Sequence, residues 1–220
     1  MTILNSSVGR KILMSVTGQL LIVFVLIHLI GNSTIFFGPN GINAYAEHLH
    51  SLPPLVWGFR LVLLLVVGVH IIYGVQLTLE NKAANPGAYA VKKNLKATFA
   101  SENMIWTGLA ILAFIVYHLL HFTARVTPDI VIGLDSVNRP DVFNMIVTSF
   151  SNGLIALVYA AAMVMLFLHL SHGIQSFVQT MGWNNEKTLP AFGTGGKVVA
   201  AFLMVAYISI PAVILTGILK

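Results

Sequence analysis

Five stretches of the chain are almost unbroken apolar runs: residues 12–37, 55–79, 104–124, 144–176 and 197–219. Each reaches the roughly 20 helical residues that cross a hydrocarbon core. Turn and breaker residues fall between them, as "GPNG" at 38–41, "PP" at 53–54, "NPG" at 85–87 and "RPD" at 139–141. The fourth run is the longest and predicts a helix that tilts in the membrane or projects from it. No repeat of solenoid period interrupts this order. The pattern predicts an all-α integral membrane bundle of five transmembrane helices, with residues 1–220 forming one membrane domain.

Composition agrees. Of 220 residues, 57% are hydrophobic and only 9% charged, against about 25% charged in a soluble domain. There is no cysteine. That excludes disulfides, zinc–thiolate sites, iron–sulfur ligation and covalently attached c-type haem. The net charge of +5 lies in the loops, without the basic clusters and interleaved aromatics of a nucleic-acid surface. The run after Arg10 and Lys11 is too long for a signal-peptide core, and no small-residue cleavage site follows it.

The charges also orient the bundle. Arg10, Lys11, Lys82, Lys92, Lys93, Lys96, Lys187 and Lys197 fall on one side, and Arg60, Arg125, Arg139 and Lys220 on the other. The positive-inside rule then places the N-terminus in the cytoplasm and the C-terminus outside. The basic cytoplasmic face suits anionic lipid or a docked soluble subunit. Trp106 and Trp183, near span ends, read as interfacial belt residues.

Histidine changes the picture most. His48 and His50 fall in the first outer loop. His28, His70, His118, His121, His169 and His172 all lie within spans. One buried histidine is ordinarily a hydrogen-bonded structural residue. Six across four spans need a shared explanation, because ionisable groups at membrane depth are costly and face the protein interior. Alternating the span directions puts His28, His118 and His121 in the outer half, and His70, His169 and His172 in the inner half. The two levels are separated by roughly 10–20 Å at the helical rise of 1.5 Å per residue. Each level has a histidine from each of two spans, plus a spare. That is what two bis-histidine haems in a four-helix bundle require. Zinc would want three or four ligands at one level. No span holds Asp or Glu in its middle, which weighs against a proton-driven pump or cation channel. Gly18, Gly68, Gly74, Gly108, Gly153 and Gly173 would admit a flat porphyrin or a neighbouring helix.

The segments "KILMSVTGQLLIVFVLIHLIGNSTIFFGPNGINAYAEHL" at 11–49, "RLVLLLVVGVHIIYGVQL" at 60–77, "TGLAILAFIVYHLLHF" at 107–122 and "HLSHGIQSFVQTMGWN" at 169–184 carry a resemblance. The chain resembles the membrane-anchor subunit of succinate:quinone oxidoreductases and quinol:fumarate reductases, in its five-span dihaem cytochrome b form. The resemblance implies His28, His70, His118 and His169 as haem-iron ligands, with His70 and His169 on the proximal haem and His28 and His118 on the distal one. It favours His169 over His172 through the spacing to Gly173. It implies two haem b and a quinone, with menaquinone first. The implied partners are an iron–sulfur subunit and a flavoprotein subunit that carries the dicarboxylate chemistry. The implied location is the bacterial cytoplasmic membrane.

His121 and His172 remain as propionate contacts, quinone contacts or structural residues. Arg10, Lys11, Ser15 and Arg60 are further propionate candidates near span ends, and Glu47 is a candidate acid at a distal quinone site. One branch of the family has a glutamate two residues before the fourth ligand, implicated in proton transfer. Phe167 stands there. The alternatives are a dihaem cytochrome b of another respiratory complex, such as a hydrogenase or formate dehydrogenase, or a haem-free transporter. The latter usually has inverted repeats and broken helices, and none is read here.

Overall fold

The computed structural model describes residues 6–84 and 98–220. The "NPG" turn and Lys92, Lys93 and Lys96 lie outside the described residues. The described chain is helical, with no strand beyond one isolated bridge from Leu134 to Pro140. Five helices are long and apolar enough to cross a membrane, which makes this an integral membrane protein.

The first is α1 (Ser7–Ser33), capped by the Ser6 hydroxyl, which accepts from the Gly9 N–H at 3.0 Å. At its other end, polar side chains donate back to carbonyls three or four residues earlier in the last turns: Asn32 to His28 at 2.7 Å, Ser33 to Leu29 at 2.8 Å and Thr34 to Gly31 at 2.7 Å. A 3₁₀ turn over Thr34–Phe37 and Gly38, at φ +76°, redirect the chain into α2 (Gly38–His50). The segment from 38 to 50 is thus a helix where a loop was expected, and His48 and His50 sit on it.

Helix α3 (Pro53–Ala83) returns, starting on two prolines that suit a first turn. After the short α4 (Phe99–Glu102) comes α5 (Met104–His118), which widens into a π turn over Leu119–Thr123. The fourth apolar run is not one helix. It divides into α6 (Val142–Ser151) and α7 (Gly153–Thr180) at Asn152, whose backbone is extended and whose side chain caps Leu154 at 3.0 Å. An Asn-Gly step is a cap signal that outweighs the apolar pattern around it. The last helix, α8 (Leu189–Leu215), begins earlier than the apolar run suggests because Pro190 and the small residues after it tolerate a first turn at the interface.

Neighbour contacts run α1 to α3, α3 to α5, α5 to α7 and α7 back to α1, a ring of four helices. Helix α8 packs along α7 outside that ring, through Leu170, Ala200 and Leu203 with Ile22 and Leu29 of α1. The end of the bundle away from the N-terminus is covered by α2, α6 and the 124–141 segment.

Asn43 is fully buried there and ties these pieces together. Its amide donates to Asp135 and Asp141, each at 3.2 Å, and its oxygen accepts from the Phe143 N–H at 2.9 Å. Arg139 bridges Asp135 at 2.9 Å and Asn40 at 2.8 Å. Partial burial would raise the pKa of Asp135. The Arg139 N–H and guanidinium, the Val137 N–H and the Asn43 amide outweigh it and hold the carboxyl at about 2. A carboxyl depressed in the folded state stabilises above its unfolded pKa of about 4, and that contribution is lost as pH falls through the folded value. Thermal unfolding of the detergent-solubilised protein should therefore be flat in pH above about 5 and fall between about 4 and 2. Asp135→Asn should start lower and fall less steeply.

Candidate functional site

Four histidines occupy the two diagonals of the helix ring. His28 on α1 faces His118 on α5, with ring centroids 5.9 Å apart and planes at 85°. His70 on α3 faces His169 on α7 at 6.3 Å and 71°. Diagonal helices are not packed neighbours, so the imidazoles point across the space between them. The rings are half-buried.

The levels are separated by a measurable ladder. Thr17 touches His70, and His28 lies about three turns further along the same helix, roughly 16 Å. Thr107 touches His169, and His118 lies the same distance further along α5. The rise agrees with the depth expected from the apolar runs.

Hydrogen bonds fix which nitrogen is free in the N-terminal pair. Thr107 commits its hydroxyl proton to the carbonyls of Asn103 and Met104, each at 3.1 Å. Its oxygen can then only accept, so His169 Nδ1–H donates to it at 3.1 Å. Thr17 is bound in the same way to Leu13 at 2.8 Å. His70 Nδ1–H donates to the Met14 carbonyl at 3.1 Å, with Thr17 Oγ1 at 3.4 Å. With Nδ1 carrying the hydrogen, the neutral form of each ring has its lone pair on Nε2, the form that ligates a metal. The sequence pattern does not single out these two threonines, and it marks Gly18 and Gly108 as room for a porphyrin or a neighbouring helix rather than for an imidazole. A Cβ on Gly18 would come within 3.0 Å of His70 Cε1, and one on Gly108 within 3.3 Å of His169 Cε1. Gly68, Gly153 and Gly173 face open space, and Gly74 faces Met14.

A signal for these residues does exist in the sequence. "TGQLLIVFVLIH" at 17–28 recurs as "TGLAILAFIVYH" at 107–118, and "HIIYGVQ" at 70–76 as "HLSHGIQ" at 169–175. The two helix pairs run in the same directions, so the recurrence is a parallel one. Its spacing is far longer than a solenoid period. Phe24 and Phe114 hold equivalent places, packing on His28 at 5.4 Å and on His118 at 5.8 Å.

The remaining candidates are dispersed. His121 is fully buried, with Nδ1 2.9 Å from the Tyr159 hydroxyl and Nε2 2.7 Å from Asp129. Both its nitrogens have protein partners. His172 is half-buried near the N-terminal end of the bundle, and Ser15 is buried on α1. Arg10 pairs with Glu80 at 2.8 Å while its Nε is buried without a partner among the described residues. Arg60 is exposed and lies over the Trp57 ring at 5.0 Å. Glu47 is exposed on α2. Phe167 packs with the α1–α8 cluster.

An iron with axial imidazole bonds of about 2 Å on each side would put ring centres roughly 6 Å apart. Both observed separations match. Among the described residues no group of three or more His, Cys, Asp or Glu converges on one point, so a metal held by protein ligands alone is not indicated. The donor set fits a planar cofactor that supplies its own equatorial ligands. The unpartnered Arg10 Nε fits an acidic group on that cofactor.

An all-helical membrane protein with paired imidazoles at two depths is the class these features define. Within that class, residues 78–210 match the family of the succinate dehydrogenase/fumarate reductase transmembrane subunit. The match covers more than half of the chain, and the chain belongs to that family. No curated protein and no solved structure matched. The matched region contains His118 and His169, and the recurrence relates His28 and His70 to them.

Thr107→Val should leave the His169 Nδ1–H without its acceptor inside the bundle. The expected cost is about 1 kcal/mol, measurable as a lowered unfolding midpoint of the solubilised protein.

Proposed function

We propose that the chain is the haem- and quinone-binding anchor of a succinate dehydrogenase or fumarate reductase complex. It holds two haem b groups, one between His70 and His169 and one between His28 and His118. It conducts electrons between an iron–sulfur subunit and menaquinone. The observation that carries this reading is the pair of diagonal imidazoles, at 5.9 and 6.3 Å, each on its own level.

When bound, bis-imidazole haem supplies one-electron exchange at a six-coordinate iron. The chain's own residues do the rest. Thr17, Met14 and Thr107 orient the N-terminal imidazoles and keep their Nε2 bare. Gly18 and Gly108 make room for those rings against α1 and α5. Arg10 and Ser15 on α1, with His172, lie toward the N-terminal end as propionate candidates. Helix α8 seals one flank of the ring from lipid.

The N-terminal end faces the cytoplasm of a bacterium in this reading, because the Lys and Arg excess lies there. The iron–sulfur subunit docks on that face, and behind it a flavoprotein subunit performs the dicarboxylate chemistry. The present chain has no cysteine for clusters. Menaquinone would react near the opposite end, where Glu47 is exposed on α2 as a candidate acid.

In the purified complex, haem per chain should be two. His70→Ala and His169→Ala should each remove the same haem, and His28→Ala and His118→Ala the other. His172→Ala should leave both. Gly18→Val, which crowds His70, should deplete the first haem, whereas Gly58→Val, in open space, should not. Pyridine haemochrome content reads all of these. An unchanged haem count in His70→Ala or His169→Ala would sink the ligand assignment.

A further inference from the structure

His118 also has a partner for its Nδ1, by a longer route. The Tyr159 hydroxyl lies 3.4 Å from His118 Nδ1 and 2.9 Å from His121 Nδ1. His121 Nε2 lies 2.7 Å from Asp129 Oδ2, and Ser149 Oγ donates to the same oxygen at 3.1 Å. His121 and Ser149 are fully buried.

The protons can be assigned one at a time. Burial would raise the pKa of Asp129, but the hydrogen bonds at its carboxylate, that to His121 foremost, together with the His121 charge outweigh this and keep the carboxyl below its usual range. At neutral pH that carboxylate only accepts, so His121 Nε2 carries a hydrogen and donates to it. In the neutral ring Nδ1 is then bare and accepts the Tyr159 O–H. With its proton committed, the Tyr159 oxygen accepts in turn, and the donor in reach is His118 Nδ1–H. Each proton is used once, and His118 is left with Nε2 free.

Among the described residues this hydrogen-bonded series has no counterpart in the other half. The recurrence that matches His28 to His118 places Gly31 where His121 stands, and there the ring of Tyr45 closes on the glycine. His121 is therefore not a packing position shared by both halves. The π turn over Leu119–Thr123 and the 124–141 segment with Asp129 belong to one half alone.

We propose that Asp129, His121 and Tyr159 form a positioning chain that fixes the tautomer of His118 and strengthens it as an iron ligand. The proposal rests on the haem reading above and deepens it. It makes His121 a residue that acts through His118, with no direct contact to propionate or quinone. A hydrogen bond accepted from a ligand's outer N–H raises the basicity of the ligating nitrogen, which favours the oxidised iron. Losing that bond raises the reduction potential.

The test is a redox titration, followed by visible absorption, of the purified complex containing the full chain. Tyr159→Phe keeps the ring and removes only the hydroxyl. The potential of the His28–His118 haem should move upward while that of the other haem stays. His121→Leu should move the same haem in the same direction. His121→Gln, whose amide offers both an acceptor and a donor, should bring it part of the way back. Tyr159→Phe decides alone if the leucine variant fails to assemble. Unchanged potentials in Tyr159→Phe, equal shifts of both haems, or loss of the haem would each overturn the proposal. If the unmodified complex holds no haem, the reading beneath it falls as well.

Discussion

An imidazole at membrane depth must place both ring nitrogens. An unpartnered polar group in hydrocarbon costs several kcal/mol, and water is not there to meet it. The arrangement of this bundle follows from that demand. Nδ1 of His70 and His169 is met by α1 and α5, through groups whose own protons are already committed. The rings themselves meet across the diagonals, with centroids 5.9 and 6.3 Å apart. A bare lone pair there has a purpose only if something accepts it, and the pair spacing matches a single iron between two rings.

The two halves solve this on one plan at the N-terminal level and on different plans at the other. At the first level, a Thr-Gly step on the neighbouring helix makes room for the ring and sets the threonine oxygen against Nδ1, with the Met14 carbonyl as the closer acceptor for His70. The same step serves His70 and His169. At the second level, the α5 half recruits a tyrosine, a second histidine and a loop carboxylate for His118. Among the described residues His28 has no ring-nitrogen partner and is held by Phe24 and, at 6.4 Å, Tyr207. The bonds that link α2 to the 124–141 segment through Asn43 hold this end closed over the second level.

The number of spans and the depths of the histidines were legible because both depend on patterns that the bilayer imposes along a single helix. Five apolar runs foretold the five membrane-length helices, and span direction put His28, His118 and His121 at one level and His70, His169 and His172 at the other, leaving the choice within each level to the resemblance. Other features depend on contacts between segments far apart in sequence. Asp129 meets His121 only because a turn of irregular chain folds back under α5. Thr17 meets His70 only because α1 and α3 cross where they do. The break at Asn152 was hidden by the apolar residues on both sides of it, although Asn152 followed by Gly153 is itself a capping signal. The recurrence of "TG" followed by Phe and His was available in the letters, but it gained meaning only once the threonines were seen on the imidazoles.

The most direct test is electron paramagnetic resonance of the air-oxidised complex at low temperature. Two bis-imidazole sites predict two distinct low-spin ferric signals in equal amount, with strong anisotropy expected of imidazole planes set at 85° and 71°. High-spin ferric iron, one low-spin species, or no haem signal at all would contradict the account.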